Sequence, residues 1–241
     1  MKYALVSDVH ANLEALRAVF ARIDADREVL CLGDIVGYGP DPNDCVALVR
    51  ERAHATVLGN HDVAAIDGFG LADFNDAARD AVLWTQRVIT PEHVAWLDGL
   101  PYELRRSEFL LVHGAPRDYF RYVLDVADAR DAFAATEAPL IFIGHTHVPD
   151  YYALAPDGRV GHAYRQRGGE LELEPGFRYL VNVGSVGQPR DLNPDASYVL
   201  YDADLRRVRW ARVPYDVGAV QRKIEAAGLP ELCSRRLALG R

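Results

Sequence analysis

The sequence predicts an α/β fold in which two packed sheets are flanked by helices. Short apolar runs alternate with segments of helical period up to residue 147. After that point the chain becomes a series of strand-like segments broken by turn residues. With 241 residues, 49% apolar and 26% charged, the composition is that of a globular protein with a sizeable core. We expect one domain over residues 1–241.

Five short apolar runs are the predicted strands of the first part. They are too short for helices and end in glycine or polar residues, which is typical of buried strands. The runs are Tyr3–Ser7, Val29–Gly33, Ala55–Gly59, Phe109–Val112 and Leu140–Gly144.

The segments between these runs have the period of amphipathic helices. Asn12–Ala25, Asn43–Ala53, Asn75–Val88 and Val126–Glu137 each place apolar residues on one stripe. Strands alternating with helices predict right-handed βαβ units and a mostly parallel sheet. Residues 63–100 hold the helical stretches Phe69–Val88 and Pro91–Leu97, which we interpret as an insertion beside the functional site.

The last third predicts an antiparallel sheet and a closing helix, Val217–Ala227. Asp157-Gly158 and Gly168-Gly169 are hairpin-turn signals. The strand-like segments are Tyr151–Leu154, Arg159–Arg165, Leu171–Glu174, Phe177–Val183 and Ser197–Val213.

The net charge and the cysteine content limit the classes of function that the sequence allows. The 27 Lys and Arg against 35 Asp and Glu give a net charge of −8, which argues against strong binding to nucleic acid or an anionic membrane. Cys31, Cys45 and Cys233 form no C-x-x-C pair and are odd in number, which favours a reducing compartment. The first twenty residues lack a signal-peptide pattern, and no apolar run could span a bilayer. We expect a cytoplasmic protein with no membrane partner; an oligomer is compatible with the sequence.

Polar residues follow every one of the five apolar runs. The carboxyl ends of parallel strands form the crevice where α/β proteins bind ligands, so these side chains should converge. They offer oxygen and imidazole donors without thiolate, a metal-ligand inventory suited to Mn, Fe, Ni or Zn. The residues are Asp8, His10, Asp34, Asn60, His61, Asp62, His113, His145 and His147.

The number of candidate ligands favours two metal ions over one. A single ion needs only about four protein ligands, and two-metal centres share a carboxylate. Each residue alone is more often a turn residue or a satisfied polar group, but five strand ends carrying such residues together point to a site. The remaining histidines, His54, His93 and His162, are interpreted as structural.

These motifs resemble, in order, those of the calcineurin-like metallophosphoesterase superfamily over about residues 1–190. Further segments resemble its small single-domain prokaryotic branch, often labelled phosphodiesterases. The motifs are Asp8-x-His10, Gly33-Asp34, Gly59-Asn60-His61-Asp62, His113-Gly114 and Gly144-His145-x-His147; the further segments are Gly37-Tyr38-Gly39-Pro40, Phe74-Asn75 and Gly187-Gln188-Pro189-Arg190.

The resemblance implies a four-layer α/β/β/α sandwich of two mixed sheets and a role for each motif residue. His61 would protonate the leaving group, and Asp62 would orient His61. One metal would be held by Asp8, His10, Asp34 and His147, and the other by Asp34, Asn60, His113 and His145, with Asp34 bridging.

Substrate contacts are less sharply indicated. Asn12 and Arg190 are candidates, with a helix N-cap and a surface ion pair as the alternatives. Tyr38 and Phe74 could stack on a ring of the substrate or belong to the core.

Three functions follow. The first is a dinuclear-metal phosphoesterase that hydrolyses small phosphodiesters or nucleotides by a metal-bound hydroxide. The second is a phosphomonoesterase acting on proteins or small molecules. The third is a non-catalytic metal-binding scaffold, which the presence of His61 disfavours. The partner we expect is a small phosphoester, not a polymer.

Overall fold

A computed structural model describes the whole chain, Met1–Arg241, as two six-stranded sheets and eight α-helices. The strands are β1 (Lys2–Val6), β2 (Glu28–Cys31), β3 (Ala55–Thr56), β4 (Glu103–Arg105), β5 (Leu110–Val112), β6 (Leu140–Ile143), β7 (Asp150–Leu154), β8 (Val160–Tyr164), β9 (Gly169–Glu172), β10 (Arg178–Asn182), β11 (Ala196–Asp202) and β12 (Arg207–Val213). The helices are α1 (Leu13–Phe20), α2 (Pro42–Arg52), α3 (Asn60–Asp67), α4 (Asp76–Val88), α5 (Pro91–Asp98), α6 (Val126–Ala134), α7 (Val217–Ala226) and α8 (Glu231–Leu239).

Both sheets are mixed, as the fold class requires. The first has the order β3-β2-β1-β11-β12-β9, with β1, β2 and β3 parallel and the later strands antiparallel. The second has the order β4-β5-β6-β10-β7-β8, with β5, β6 and β10 parallel. The expectation of a parallel sheet followed by a separate antiparallel one is therefore wrong, because strands from the last third extend both early sheets.

Alternation along β1 shows how the layers form. Tyr3 and Leu5 point into the cluster between the sheets, whereas Ala4 and Val6 point to the cluster under α1 and α2. This is the period of two that a strand buried on both faces must follow. On the second sheet, Phe133 of α6 packs against the outer face. The predicted four-layer sandwich is confirmed.

One hairpin turn agrees with the sequence prediction, and two other chain reversals differ from it. Asp157-Gly158 does join the antiparallel strands β7 and β8, as predicted. Gly168-Gly169 forms no hairpin, because β8 lies in the second sheet and β9 in the first, so these glycines carry the chain between sheets. Ser197–Val213 is two paired strands, since the chain reverses near Arg206 without a glycine or proline to mark the turn.

The helices also differ in extent. The predicted insertion holds most of α3, a short 3₁₀ helix over Leu71–Asp73, α4 and α5, so Phe69–Val88 is α-helical only from Asp76 onward. α8 lies beyond the predicted closing helix. None of the helices combines the length and the apolar character that crossing a membrane requires.

Candidate metal centre

The loops after β1 and β2 of one sheet meet the loops after β5 and β6 of the other at a single rim. This brings six Asp and His side chains into two groups, and within each group the ligand atoms lie within 4.8 Å of one another. One group is Asp8, His10, Asp34 and His147, and the other is Asp34, His113 and His145. Asp34 belongs to both, as a bridging ligand would.

Imidazole nitrogens approach one another closely in both groups. The Nε2 atoms of His10 and His147 are 3.1 Å apart, and His113 Nε2 is 3.1 Å from His145 Nδ1. The carboxylates face the same nitrogens: Asp34 Oδ2 lies 3.3 Å from His113 Nε2 and 3.6 Å from His10 Nε2. Several lone-pair atoms thus point at common centres, which is the arrangement a metal ion requires.

Backbone carbonyls fix the tautomers of three of these histidines. Because a carbonyl only accepts, Nδ1–H donates in each case: His10 to Val36 O (3.1 Å), His113 to Leu32 O (2.7 Å) and His147 to Gln188 O (2.6 Å). In the neutral ring, Nε2 then presents its lone pair to the site. Such outer hydrogen bonds are typical of metal-binding histidines.

The ligand loops have an unusual backbone. Five of the ligands occupy the left-handed region, with φ of 53° at Asp8, 47° at His10, 51° at Asp34, 65° at His145 and 61° at His147. Non-glycine residues seldom adopt this conformation, and its clustering marks functional sites.

Orphaned polar atoms support the fit to metal ions. Asp8 Oδ1, Asn60 Oδ1 and His145 Nε2 are buried without a hydrogen-bond partner. Such atoms are costly unless something binds them. Asn60 begins α3 beside His61 and lines the same cavity as His145. Oxygen and imidazole donors without thiolate fit the divalent ions predicted from the sequence.

The electrostatics of the cluster keep the carboxylates ionised. Burial opposes ionisation of Asp8 and Asp34, yet neighbouring histidines outweigh it and hold the pKa of both carboxyls well below the usual range. Burial lowers the pKa of His10 well below its ordinary value and that of His145 to about 3. At His113 burial also disfavours the cation, but Asp34 and Asp8 prevail and raise the pKa to about 9. A metal binding His113 at neutral pH would displace this proton.

His61 stands beside the two ligand groups at the start of α3. Its ring centroid is 4.8 Å from that of His10, and its backbone N–H donates to Asp34 Oδ1 (2.8 Å). Its Nδ1 is buried without a hydrogen-bond partner, at the point where a side chain on Gly37 would collide with it, the ideal Cβ lying 2.3 Å away. Gly37 has a φ of +88°, a second reason for glycine there.

Asp62 does not orient His61 directly, so that expectation is corrected. Its Oδ1 accepts from the backbone N–H groups of Ile35 (2.8 Å) and Val36 (3.1 Å), and its Oδ2 accepts from Gly59 N–H (3.1 Å). The carboxylate is committed to backbone, because it ties the loop after β2 to the loop after β3. It therefore positions Asp34 and the start of α3.

Arg190 lies at the site and not in a surface ion pair. Its guanidinium donates to Tyr38 Oη (3.2 Å) and to Gln188 Oε1 (3.0 Å). Tyr38 in turn packs its ring at 4.6 Å from His61 and 4.8 Å from His10. Phe74 packs on His61 at 4.6 Å. Both aromatic residues predicted as either core or stacking groups are thus in contact with His61.

Asn12 behaves as the N-cap alternative described. Its Oδ1 accepts from Ala15 N–H (3.1 Å), and its amide donates to Gly187 O (2.9 Å), with the side chain buried. Both ends of the amide hold the fold around the rim.

Sequence reasoning missed Tyr122, which stacks on His145 with ring centroids 3.9 Å apart and an interplanar angle of 15°. It also missed Asn182, whose amide donates to Gly144 O (2.8 Å) and Thr146 Oγ1 (2.9 Å) and so fixes the loop of His145 and His147. Tyr122 lies in a loop with no periodic pattern. Asn182 lies inside the predicted strand segment Phe177–Val183, where it follows the apolar residues Tyr179–Val181.

The histidines interpreted as structural lie away from the cluster. His54 Nδ1 accepts from Val29 N–H (3.0 Å), and His93 Nδ1 contacts Asn43 Oδ1 (2.9 Å) in α5. His162 pairs with Asp150 in the β7–β8 hairpin at 2.8 Å. His93 is half-buried.

Comparison with known proteins agrees with this geometry. The crystal structure of a metallophosphoesterase from Sphaerobacter thermophilus is 40% identical, covers 100% of both chains and has a TM-score of 0.89. An uncharacterized protein of Methanocaldococcus jannaschii is 37% identical over 99% of this chain and 98% of its own length. Serine/threonine-protein phosphatase 1 of Salmonella typhimurium is 30% identical over 44% of this chain and 50% of its own length. Residues 1–206 match the calcineurin-like phosphoesterase superfamily domain, and the chain belongs to that superfamily of metallophosphoesterases.

Proposed function

We propose that the protein hydrolyses small phosphodiesters, including nucleotide diesters, at a dinuclear metal centre. The observation that carries this proposal is the wall around the ligand cluster. One guanidinium, that of Arg190, borders the cluster, whereas Tyr38, Phe74 and Tyr122 supply aromatic rings. A diester carries a single negative charge and two organic arms, which suits one cation and several rings.

The metal ions, when bound, would supply Lewis-acid charge and lower the pKa of a coordinated water. They would be held by Asp8, His10, Asp34, Asn60, His113, His145 and His147. Arg190 would bind a phosphoryl oxygen; its hydrogen bonds to Tyr38 and Gln188, which hold the guanidinium beside the cluster, support this role. A guanidinium pairs well with phosphate oxygens.

In this proposal His61 would give a proton to the departing oxygen. Burial lowers the pKa of His61 to about 4, opposed by Asp34 and reinforced by Arg190. An anionic phosphate beside the ring would favour the imidazolium and raise this pKa. Bound divalent ions would act in the opposite direction, so the protonation of His61 in the complex is set by the phosphate and the metals together.

The main alternative is a phosphomonoesterase, favoured by the partial relative from Salmonella typhimurium, which is named as a protein phosphatase. A monoester dianion would gain from further cations at the wall. Arg79 does not supply such a cation, because it is paired with Asp76 on α4. The scaffold alternative leaves the buried His61 beside the cluster without a role.

The test compares bis(p-nitrophenyl) phosphate, p-nitrophenyl phosphate and duplex DNA at matched metal concentration and low salt. We expect the diester to be hydrolysed fastest and DNA least, since the net charge of −8 repels a polyanion. Low salt gives any attraction to DNA its best chance. Faster turnover of the monoester would replace this proposal with the phosphatase, and rapid, salt-sensitive degradation of DNA would overturn the charge argument.

A further inference from the structure

We infer that the cavity beside His145 binds a nucleobase of the substrate, with preference for a base that carries an exocyclic amino group. This rests on the proposed function, since it places one organic arm of the phosphodiester. The cavity has a volume of about 190 Å³ and is continuous with the metal cluster through His145 and Asn60, which form part of its lining.

Aromatic rings make up most of the remaining wall. They are Phe69, Phe74, Phe120 and Tyr122. Tyr122 lies flat against His145, and Phe74 packs on His61, so the wall is joined to the cluster on two sides. A planar ring entering the cavity would find faces and edges to stack on, an interaction open to any base.

Phe69 distinguishes this wall from an ordinary core. Its side chain is 65% exposed, although phenylalanine is normally buried. The residue is held between Gly68 and Gly70, both in the left-handed conformation, with φ of 84° and 77°. The loop therefore presents an apolar ring at the mouth of a cavity that leads to the cluster.

Asp73 gives the cavity its selectivity. Among the residues that line the cavity, Asp73 is the one with a carboxylate side chain. An ionised carboxylate only accepts hydrogen bonds, so it favours a ring with an amino group and opposes one with a carbonyl at the same position. It also repels a second phosphate, which disfavours polyphosphate or a continuing nucleic acid strand in the cavity. Cytosine carries an amino group at C4 beside an unprotonated N3, whereas uracil carries a carbonyl at C4 beside an N3–H, so this pair tests whether the C4 substituent meets Asp73.

The probes are CMP, UMP and ribose 5-phosphate, each titrated calorimetrically into the manganese-loaded protein and tested as an inhibitor of bis(p-nitrophenyl) phosphate hydrolysis. Stacking should make CMP bind on the order of tenfold more tightly than ribose 5-phosphate. The carboxylate of Asp73 should make CMP bind about threefold to tenfold more tightly than UMP.

Two variants test which side chain is responsible for stacking on the base and which is responsible for the preference for CMP over UMP. Phe69→Ala should bring both nucleotides towards the affinity of ribose 5-phosphate, which should itself change little. Asp73→Asn should remove the difference between CMP and UMP, because an amide can donate to the uracil carbonyl as well as accept. Leu205→Ala is the matched control: Leu205 is 62% exposed but lies between β11 and β12, away from the cavity.

The outcomes separate this inference from the proposed function. Equal affinities of the three probes, or a base preference unchanged by Phe69→Ala, would overturn the subsite while leaving phosphodiesterase activity standing. A CMP preference that survives Asp73→Asn would overturn the role of Asp73. If the diester is not hydrolysed but the base preference appears in calorimetry, the proposed reaction fails and the subsite remains.

Discussion

Trp210, between the two sheets, and Asp34, at the rim, are almost equally buried, with 2% and 1% of their surface exposed. The surroundings of the two residues differ in kind. Trp210 packs in an apolar cluster, and its one polar atom donates to Asn182 O (2.8 Å). Asp34 faces imidazole nitrogens with a left-handed backbone and lies among buried atoms that have no partner.

The contrast between Trp210 and Asp34 shows that the rim, formed by the loops after the strands, has a conformation that does not maximise the stability of the fold. Seven of the ten non-glycine residues with positive φ lie there: Asp8, His10, Ala11, Asp34, Tyr38, His145 and His147. Each such residue costs roughly 1–2 kcal/mol relative to the right-handed conformation. The packed sheets hold this strain in place, and the gain is a set of ligand atoms that already converge.

The variant that should break the rim most completely is Asp34→Asn. Asparagine tolerates positive φ and keeps the volume, so the fold should survive, whereas loss of the shared charge should weaken both metal sites. We expect activity to fall by about a hundredfold or more, with metal lost from both sites, as measured by elemental analysis. Asp24→Asn, on the surface, is the control. Full metal content in Asp34→Asn would show that Asp34 does not bridge.

The next largest effect should come from His61→Asn, which separates chemistry from metal binding at the rim. Turnover should fall by about a hundredfold to ten-thousandfold, because the leaving group loses its proton donor. The loss should be greater for an alkyl leaving group than for p-nitrophenoxide, and metal content should hold. His93→Asn is the matched control on α5, and equal losses in the two variants would remove the role of His61.

Adding a methyl group at Gly59 tests the close contact between the loop after β3 and the loop after β2, which carries Asp34. An ideal Cβ on Gly59 would lie 2.1 Å from Asp34 Oδ1 and 2.3 Å from Asp34 N. Gly59→Ala should lower the free energy of unfolding by about 1–3 kcal/mol and weaken metal binding. Gly161→Ala, on an edge strand with open space around it, should stay within about 0.5 kcal/mol of the parent. Similar denaturation midpoints for the two variants would contradict the close approach.

The smallest predicted effect compares two buried alanines. Ala4→Gly in β1 loses a packed methyl and loosens a strand, a cost of about 1.5 kcal/mol. Ala11→Gly, where φ is +50°, loses the same methyl but relieves about 1–2 kcal/mol of backbone strain, so its net change should be near zero. Urea unfolding measures both. A larger loss at Ala11 than at Ala4 would mean that the rim is not strained.

Sequence reasoning located the rim well because strand ends carry a distinct pattern. Asp8, Asp34 and His113 each follow an apolar run that had to be a buried strand, and the carboxyl ends of such strands meet. What it could not supply was contact across the sandwich. Asp62 looks like a partner of His61 along the chain, but the backbone of Ile35 and Val36 competes for its carboxylate.

The sheets show the same limit. Strand positions followed from apolar runs and turn residues, yet the partners of β10 and β11 are set by packing of distant segments. The reversal near Arg206 lacks glycine and proline, so two strands read as one. Tyr122 reaches His145 from an irregular loop, and no periodicity predicts such a contact.

The metal content of active protein tests the central claim most directly. Protein reconstituted with manganese, freed of excess ion and assayed on bis(p-nitrophenyl) phosphate should contain two ions per chain, as the two ligand groups sharing Asp34 require. Chelation should remove the ions and the activity together, and both should return on adding manganese. Undiminished activity in protein that holds no stoichiometric metal, or full activity with a single ion, would contradict the dinuclear centre.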